Sequence, residues 1–239
     1  MENIKIMKFP MSLILILPLY GEIPFKIGEK LNYNASFGSI DAARGSLKVL
    51  NKELINNIMT YHVRFSARSK GVINYLFPID DQIDIWLNEH SLLPIKILAN
   101  IREGKFKKQS ETYINHESGY AVTNGDTIEI LNDIHSPYSL FYFFRGQEVS
   151  KMEGQTIETI QGKKITPLEI KIEENINETV PAGTYDCYKV SPSRKDKKQF
   201  KNKATMSILF SDDDNRYPIK IWMSLKYGNL ILSLNEIIN

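Results

Sequence analysis

The feature that most constrains this chain is a period-two alternation of apolar and polar residues that returns along its length. Leu31, Tyr33, Ala35 and Phe37 alternate with Asn32, Asn34 and Ser36, and Tyr61, Val63, Phe65 and Ala67 with His62, Arg64, Ser66 and Arg68. Leu168, Ile170 and Ile172 alternate with Glu169, Lys171 and Glu173, and Ile219, Ile221, Met223 and Leu225 with Lys220, Trp222, Ser224 and Lys226. Successive side chains of a strand point to opposite faces, so each segment has one apolar and one wet face. That is the pattern of antiparallel sheet with one face on a core. Parallel doubly wound sheets show apolar runs separated by helices, a rhythm missing here. The 32 isoleucines of 239 residues reinforce strands, because β-branched side chains suit the pleated surface.

Turn chemistry separates the alternating runs. Asn124-Gly125 is a strong hairpin dipeptide, since both residues tolerate positive φ. Pro181-Ala182-Gly183 and Tyr227-Gly228-Asn229 divide later pairs, and Gly183 is expected to take positive φ. Ser211 to Asn215 reads as a polar turn. Residues 193–204 hold six basic side chains and one acidic, and read as a basic loop. Without a Pro/Ser tract or a repeat of fixed period, residues 22–239 read as a single antiparallel β domain.

Two segments interrupt the strands. Residues 71–77 are a short apolar stretch before Pro78. Residues 136–145 predict a short helix, with Ser136 as its cap and Pro137 in its first position. Tyr138, Phe141, Tyr142 and Arg145 share one face, and Leu140, Phe143 and Phe144 the other. A helix aromatic all round must be buried on several sides. It is expected to plug one end of a curved sheet; the alternative is an aromatic lining for an apolar ligand.

Residues 1–21 read as a secretory signal peptide. Lys5 and Lys8 flank a twelve-residue apolar run, Phe9 to Tyr20, which ends at the small residue Gly21. The run is shorter than the roughly 20 residues that span a bilayer, and Pro10 and Pro18 interrupt it. Leu19 is a poor residue for the third position before the cut, so a retained anchor stays open. The single cysteine, Cys187, forbids an intrachain disulfide and lies in a strand, where a buried, inert thiol is expected. Two glycosylation sequons, at Asn34 and Asn177, matter only in a eukaryotic secretory route.

Motifs that carry chemistry are mostly missing. His62, His90, His116 and His135 show no metal-binding spacing, and His62 and His116 fall on polar strand faces as surface histidines. There is no nucleophile elbow, phosphate loop or dinucleotide fingerprint. Counted from Asp212, a calcium loop would need Gly and Glu where Tyr217 and Met223 stand. A formal net charge of +2 argues against a dedicated nucleic-acid binder.

Five stretches in order resemble the bacterial family called domain of unknown function 3108. They are residues 23–33, Tyr75-Leu76-Phe77-Pro78-Ile79-Asp80-Asp81 with Leu93-Pro94, the Ser-x-x-Tyr-x-x-Arg of Ser139, Tyr142 and Arg145, Val180-Pro181-Ala182-Gly183-Thr184-Tyr185, and Ser211-Asp212-Asp213 with Arg216-Tyr217-Pro218-Ile219, Gly228 and Leu234. Ile208-Leu209-Phe210 departs from the Trp that the family often has before its Ser-Asp pair. The resemblance implies an exported, all-β protein of a Gram-negative-type envelope, periplasmic or envelope-associated, without assigned catalytic residues. It also suits a curved sheet or partly open β-barrel with one or two short helices.

The first functional expectation is a non-enzymatic, monomeric envelope protein binding an apolar or lipid-like ligand. Tyr75, Phe77, Tyr138, Phe141 and Tyr142 would line or cover its cavity. No cofactor or metal is expected. The alternative is a hydrolase or other enzyme with an unrecognised site, for which His62, His116, Asp80 and Asp81 are the groups to watch. A third reading is an assembly factor that grips an envelope partner along a sheet edge.

Overall fold

The computed structural model describes residues 23–194, 205–225 and 228–239. The expected leader, residues 195–204 of the basic loop, Lys226 and Tyr227 lie outside them. Fifteen strands form one continuous sheet among the described residues. Its first half holds β1 (Lys30–Phe37), β2 (Ile40–Ile55), β3 (Ile58–Ser69), β4 (Asp80–Asn88), β5 (Pro94–Glu103), β6 (Phe106–Asn115), β7 (Tyr120–Thr123) and β8 (Asp126–Glu129). The second holds β9 (Ile134–His135), β10 (Thr156–Gln161), β11 (Lys164–Val180), β12 (Gly183–Arg194), β13 (Thr205–Ser211), β14 (Pro218–Leu225) and β15 (Gly228–Ile238). Helix α1 (Gly71–Leu76) follows β3, and α2 (Leu140–Phe143) follows β9.

Each half is a meander of neighbouring strands, and the halves join where β1 pairs with β15. All ladders are antiparallel except the short β9–β10 pair. The two free edges, β8 and β9, are separated by only residues 130–133, so the sheet curls until its ends nearly meet. The Thr123 hydroxyl donates to Gly162 O across this seam at 3.3 Å. The all-β, mainly antiparallel expectation is met in an open, curved, barrel-like sheet.

The turns follow local chemistry. Asn124 and Gly125 have φ of 50° and 88°, closing a two-residue hairpin. Asn56 and Asn57, at 50° and 65°, do the same between β2 and β3, a turn that the sequence reading passed over. Gly183 takes the expected positive φ, 144°. Asp213 Oδ1 accepts from the backbone N–H groups of Asn215 and Arg216, which closes the 211–215 turn as a local hydrogen-bonded turn.

The inward residues change size along the strands. At one end stand Leu31, Tyr33, Leu47, Val49 and Val63, all buried. Toward the other end the same strands present Ala35 opposite Ala43, and Gly45 opposite Ala67. Large side chains fill one end of the curl; small ones leave room at the other.

The segment between β9 and β10 crosses this interior. Its helix starts later than expected, because Ser136 does not cap it. Ser136 and Ser139 instead bond each other: Ser136 N–H donates to Ser139 Oγ and Ser139 N–H to Ser136 Oγ, at 2.8 and 2.9 Å. That tight turn carries Pro137 and Tyr138, and α2 begins only at Leu140. Leu140, Phe141, Tyr142 and Phe144 are buried, as a plug requires.

Candidate functional site

Arg145 anchors the filled end. Its guanidinium is 1% exposed and grips Glu29, 3% exposed, through two bonds of 2.6 and 2.9 Å. Nη2 also donates to Pro24 O and Nε to Asn215 O, at 2.8 and 3.0 Å. The rings of Phe25 and Tyr217 lie 5.3 and 5.2 Å from its central carbon. One side chain thus ties the start of β1 to the β13–β14 turn. Around it, Tyr142 packs edge-on against Phe25, and Phe144 against Phe210.

The other end holds a cavity of about 270 Å³. Ala35, Ala43, Gly45, Phe65 and Ala67 line it from β1–β3, and Met206, Ile221, Met223, Leu230 and Leu232 continue that wall from β13–β15, where Leu232 pairs with Ala35. Tyr138 and Phe141 close it from the crossing segment. Ile79, Arg44, Asp81 and Glu103 also border it. An apolar chamber with a few polar groups is the usual make-up of a small-molecule site.

The polar border is electrostatically uneven. Burial pushes the Asp81 carboxyl up, against the Arg102 N–H that donates to it at 2.8 Å. Glu103 is raised as well, by burial and then by the charge and hydrogen bond of Asp81. Burial with these two carboxylates nearby lifts the Tyr138 hydroxyl to about 12, so it stays protonated at neutral pH. Arg44 donates to Asp41, holding that carboxyl down at about 2 with help from Lys70. A second cavity, of about 230 Å³, lies between β5–β6 and the β10–β11 turn and shares Glu103, Pro137 and Tyr138 with the first.

The five aromatics grouped by the sequence reading are separated by the fold. Tyr138 and Phe141 stand on the cavity wall. Tyr142 is in the core, 2% exposed, against Phe25. Tyr75 and Phe77 do not line the chamber: they are 88% and 51% exposed, because α1 sits outside the sheet. The residue most clearly missed is Glu29, whose partner is 116 positions away.

The residues watched for enzymatic chemistry are not brought together. His62 is not a surface histidine: it is mostly covered, stacked on Trp86 at 4.3 Å on the outer face of the sheet. Its two ring nitrogens face Asp84 at 2.7 Å and Glu53 at 3.3 Å, so neither is open to a substrate. Burial would raise Asp84, but bonds from His62, Arg64 and Gln82 outweigh it and hold its carboxyl below the ordinary range. Asp80 pairs with Arg68. His116 is also mostly covered, and its Nε2 meets Pro94 O at 3.0 Å. Cys187 is buried, and burial pushes its thiol up to about 12, as an inert side chain requires. Among the described residues no group of His, Cys, Asp and Glu is arranged to hold a metal ion.

The fold and chamber define a class: a curved, barrel-like antiparallel sheet around an apolar cavity. Residues 32–235 match the family described as protein of unknown function (DUF3108), and the chain belongs to that family. A β-barrel-like protein of domain of unknown function DUF1849 from Brucella abortus shares the fold, with a TM-score of 0.56 at 11% identity, over 88% of this chain and 97% of that one. Two structures align less closely, each with a TM-score of 0.39. A Bacteroides fragilis protein, provisionally described as exported with a YmcC-like fold, is 8% identical over 91% of this chain and 98% of its own. A Parabacteroides distasonis protein, provisionally described as a lipoprotein, is 9% identical over 89% and 96%. No curated protein sequence matches the chain.

Proposed function

We propose that the protein is a non-enzymatic component of the cell envelope that holds an apolar or lipid-like molecule in the chamber bounded by Tyr138 and Phe141. The observation that carries this reading is the pairing of Ala35 with Ala43 and of Gly45 with Ala67, which sets small side chains side by side where the chamber lies. A fold that needed only stability would place larger side chains there, since voids cost contacts. The volume, about 270 Å³, is a little under the ~300–1,000 Å³ of typical small-molecule sites, which suits one chain or ring system rather than a whole multi-chain lipid. Export in a Gram-negative-type envelope accords with the signal-like residues 1–21.

Binding of an apolar fluorescent dye tests the reading, with Ala43→Leu as the filled variant. Ala43 is buried in the chamber wall. The expected result is dye binding by the unaltered protein and at least a tenfold loss in a variant that still folds by circular dichroism. Equal binding by both proteins would refute the chamber as the site.

A further inference from the structure

Helix α1 turns large apolar side chains to the outside, unlike a helix that packs on a core. Its buried residues are none, while Val72, Tyr75 and Leu76 are 71%, 88% and 69% exposed. These three stand at i, i+3 and i+4, one above another on a single face. Phe77, at the end of the helix, is 51% exposed and packs on Gly104 of the β5–β6 turn. Gly104 has φ of 58°, and a Cβ there would fall 2.8 Å from the Phe77 ring, so a glycine is what permits the contact. The bonds from Gly104 N–H to Pro78 O and the Ile79–Glu103 bridge fasten the two elements together. The same hairpin adds Phe106, 55% exposed. Single exposed apolar residues are ordinary, but five on two joined elements are a patch that calls for a partner.

The charges around the patch say which partner. Residues 102–108 read Arg-Glu-Gly-Lys-Phe-Lys-Lys, four basic against one acidic. Arg102, Lys105, Lys107 and Lys108 are exposed, and none is in an ion pair among the described residues. The one acid, Glu103, is engaged with Asp81, and Asp80 is neutralised by Arg68. Helix α1 brings no carboxylate of its own. Exposed aromatic and aliphatic side chains beside a hairpin of basic groups without ion-pair partners are the composition of a surface that settles into the headgroup layer of an anionic bilayer.

We infer that α1 and the β5–β6 hairpin form a membrane-docking face, inserting Tyr75, Leu76, Phe77 and Phe106 among anionic lipid headgroups. Ile79 and Glu103, which border the chamber, lie directly behind this face. The inference stands apart from what the chamber holds: loss of dye binding would leave it intact, and failure to dock would leave the chamber reading intact.

The test places an environment-sensitive, thiol-reactive fluorophore at Tyr75→Cys in the protein as recovered from cells. Cys187 is buried and should stay unlabelled. Glu174→Cys, exposed on β11, is the control. On phosphatidylglycerol–phosphatidylethanolamine vesicles the probe at 75 should shift to the blue and the probe at 174 should not. Each lysine near an anionic surface contributes a factor of about five, so Lys105→Glu with Lys107→Glu should weaken the response at least tenfold. No shift at 75, an equal shift at 174, an equal shift on phosphatidylcholine alone, or indifference to the lysine changes would each overturn the inference. So would a shift at 75 that needs an added protein and not lipid.

Discussion

The two ends of the curled sheet are built from the same strands and reach opposite outcomes. At the filled end, β1 contributes Leu31 and Tyr33, both nearly inaccessible, and β2 contributes Leu47 and Val49. Two residues further along β1, and two to four back along β2, the inward positions become Ala35, Gly45 and Ala43. The crossing segment serves both ends: Phe144 and Arg145 go into the packed side, Tyr138 and Phe141 onto the chamber wall. The lesson is that strand pattern decides which face is apolar, while side-chain size in register decides whether that face encloses a core or a space.

Four substitutions or pairs probe this contrast. The largest effect is expected from Arg145→Ala, which leaves Glu29 charged and buried without its partner, at a cost of about 3–5 kcal/mol in chemical denaturation. Removing both charges together, by Arg145→Met with Glu29→Met, should recover much of that loss. If the single variant unfolds at the same denaturant concentration as the parent, the filled end is not held by this pair.

Truncating the two neighbouring rings compares the ends directly. Phe144→Ala, at a fully buried site, should cost about 3–5 kcal/mol, the range for a ring lost from packed core. Phe141→Ala should cost about half as much, because one side of that ring already faces the chamber. It should also alter dye binding, which Phe144→Ala should not. Equal costs would show that Phe141 is packed as tightly as Phe144.

His135 gives a pH handle on the seam side of the crossing segment. Burial first, with the charge of His116, lowers its pKa from 6.5 to about 4. Its ring lies 4.1 Å from Phe143, and Nδ1 has no hydrogen-bond partner. A histidine lowered on folding takes up protons more readily when unfolded, so stability falls as pH drops from 6.5 toward 4. The loss is up to about 3 kcal/mol. His135→Phe should flatten this part of the stability–pH curve, and an unchanged slope would place the titration elsewhere.

The smallest effects compare two glycines. A Cβ on Gly146 would fall 2.6 Å from Leu92 Cδ1 in the packed region, so Gly146→Ala should cost about 1–3 kcal/mol by overpacking. On Gly45 it would meet Leu232 Cδ2 at 3.3 Å, at the chamber wall, where that side chain has space to yield. Gly45→Ala should therefore cost less than ~1 kcal/mol. Thermal melts of the pair would rank them, and a reversed order would deny the difference in packing.

Much of the fold was legible because it rests on local rules. The alternation at residues 31–37, 61–67, 168–173 and 219–225 falls on strands β1, β3, β11 and β14. Asn124-Gly125 and Gly183 behave as short-range turn chemistry requires. The start of α2 was misread because Ser136 had a competing partner, Ser139, that offered a serine turn instead of a cap. Both His62 and His116 were misread because a polar strand face can still be covered, here for His62 by Trp86, Glu53 and Asp84 from neighbouring strands. The chamber was hidden for a different reason. Ala35, Ala43, Gly45 and Ala67 are unremarked small residues until register sets them beside one another. Likewise the Glu29–Arg145 pair joins positions that no local pattern links.

The joint between β1 and β15 has a consequence for how the chain comes to its native state. Lys30 pairs with Ile238 and Phe37 with Leu230, so the ladder at the middle of the sheet unites residues about two hundred positions apart. Every other antiparallel ladder can zip as a chain-local hairpin as soon as its two strands exist. This one must wait for the final strand, and closing so long a loop is slow. Until then the two arms carry bare ladder edges on β1 and β15 as well as on β8 and β9. A nick within residues 130–133, where Leu131 is 82% exposed, would break no strand pairing. Two fragments made separately should therefore find each other along β1 and β15, and their recombination would time that single closing step on its own.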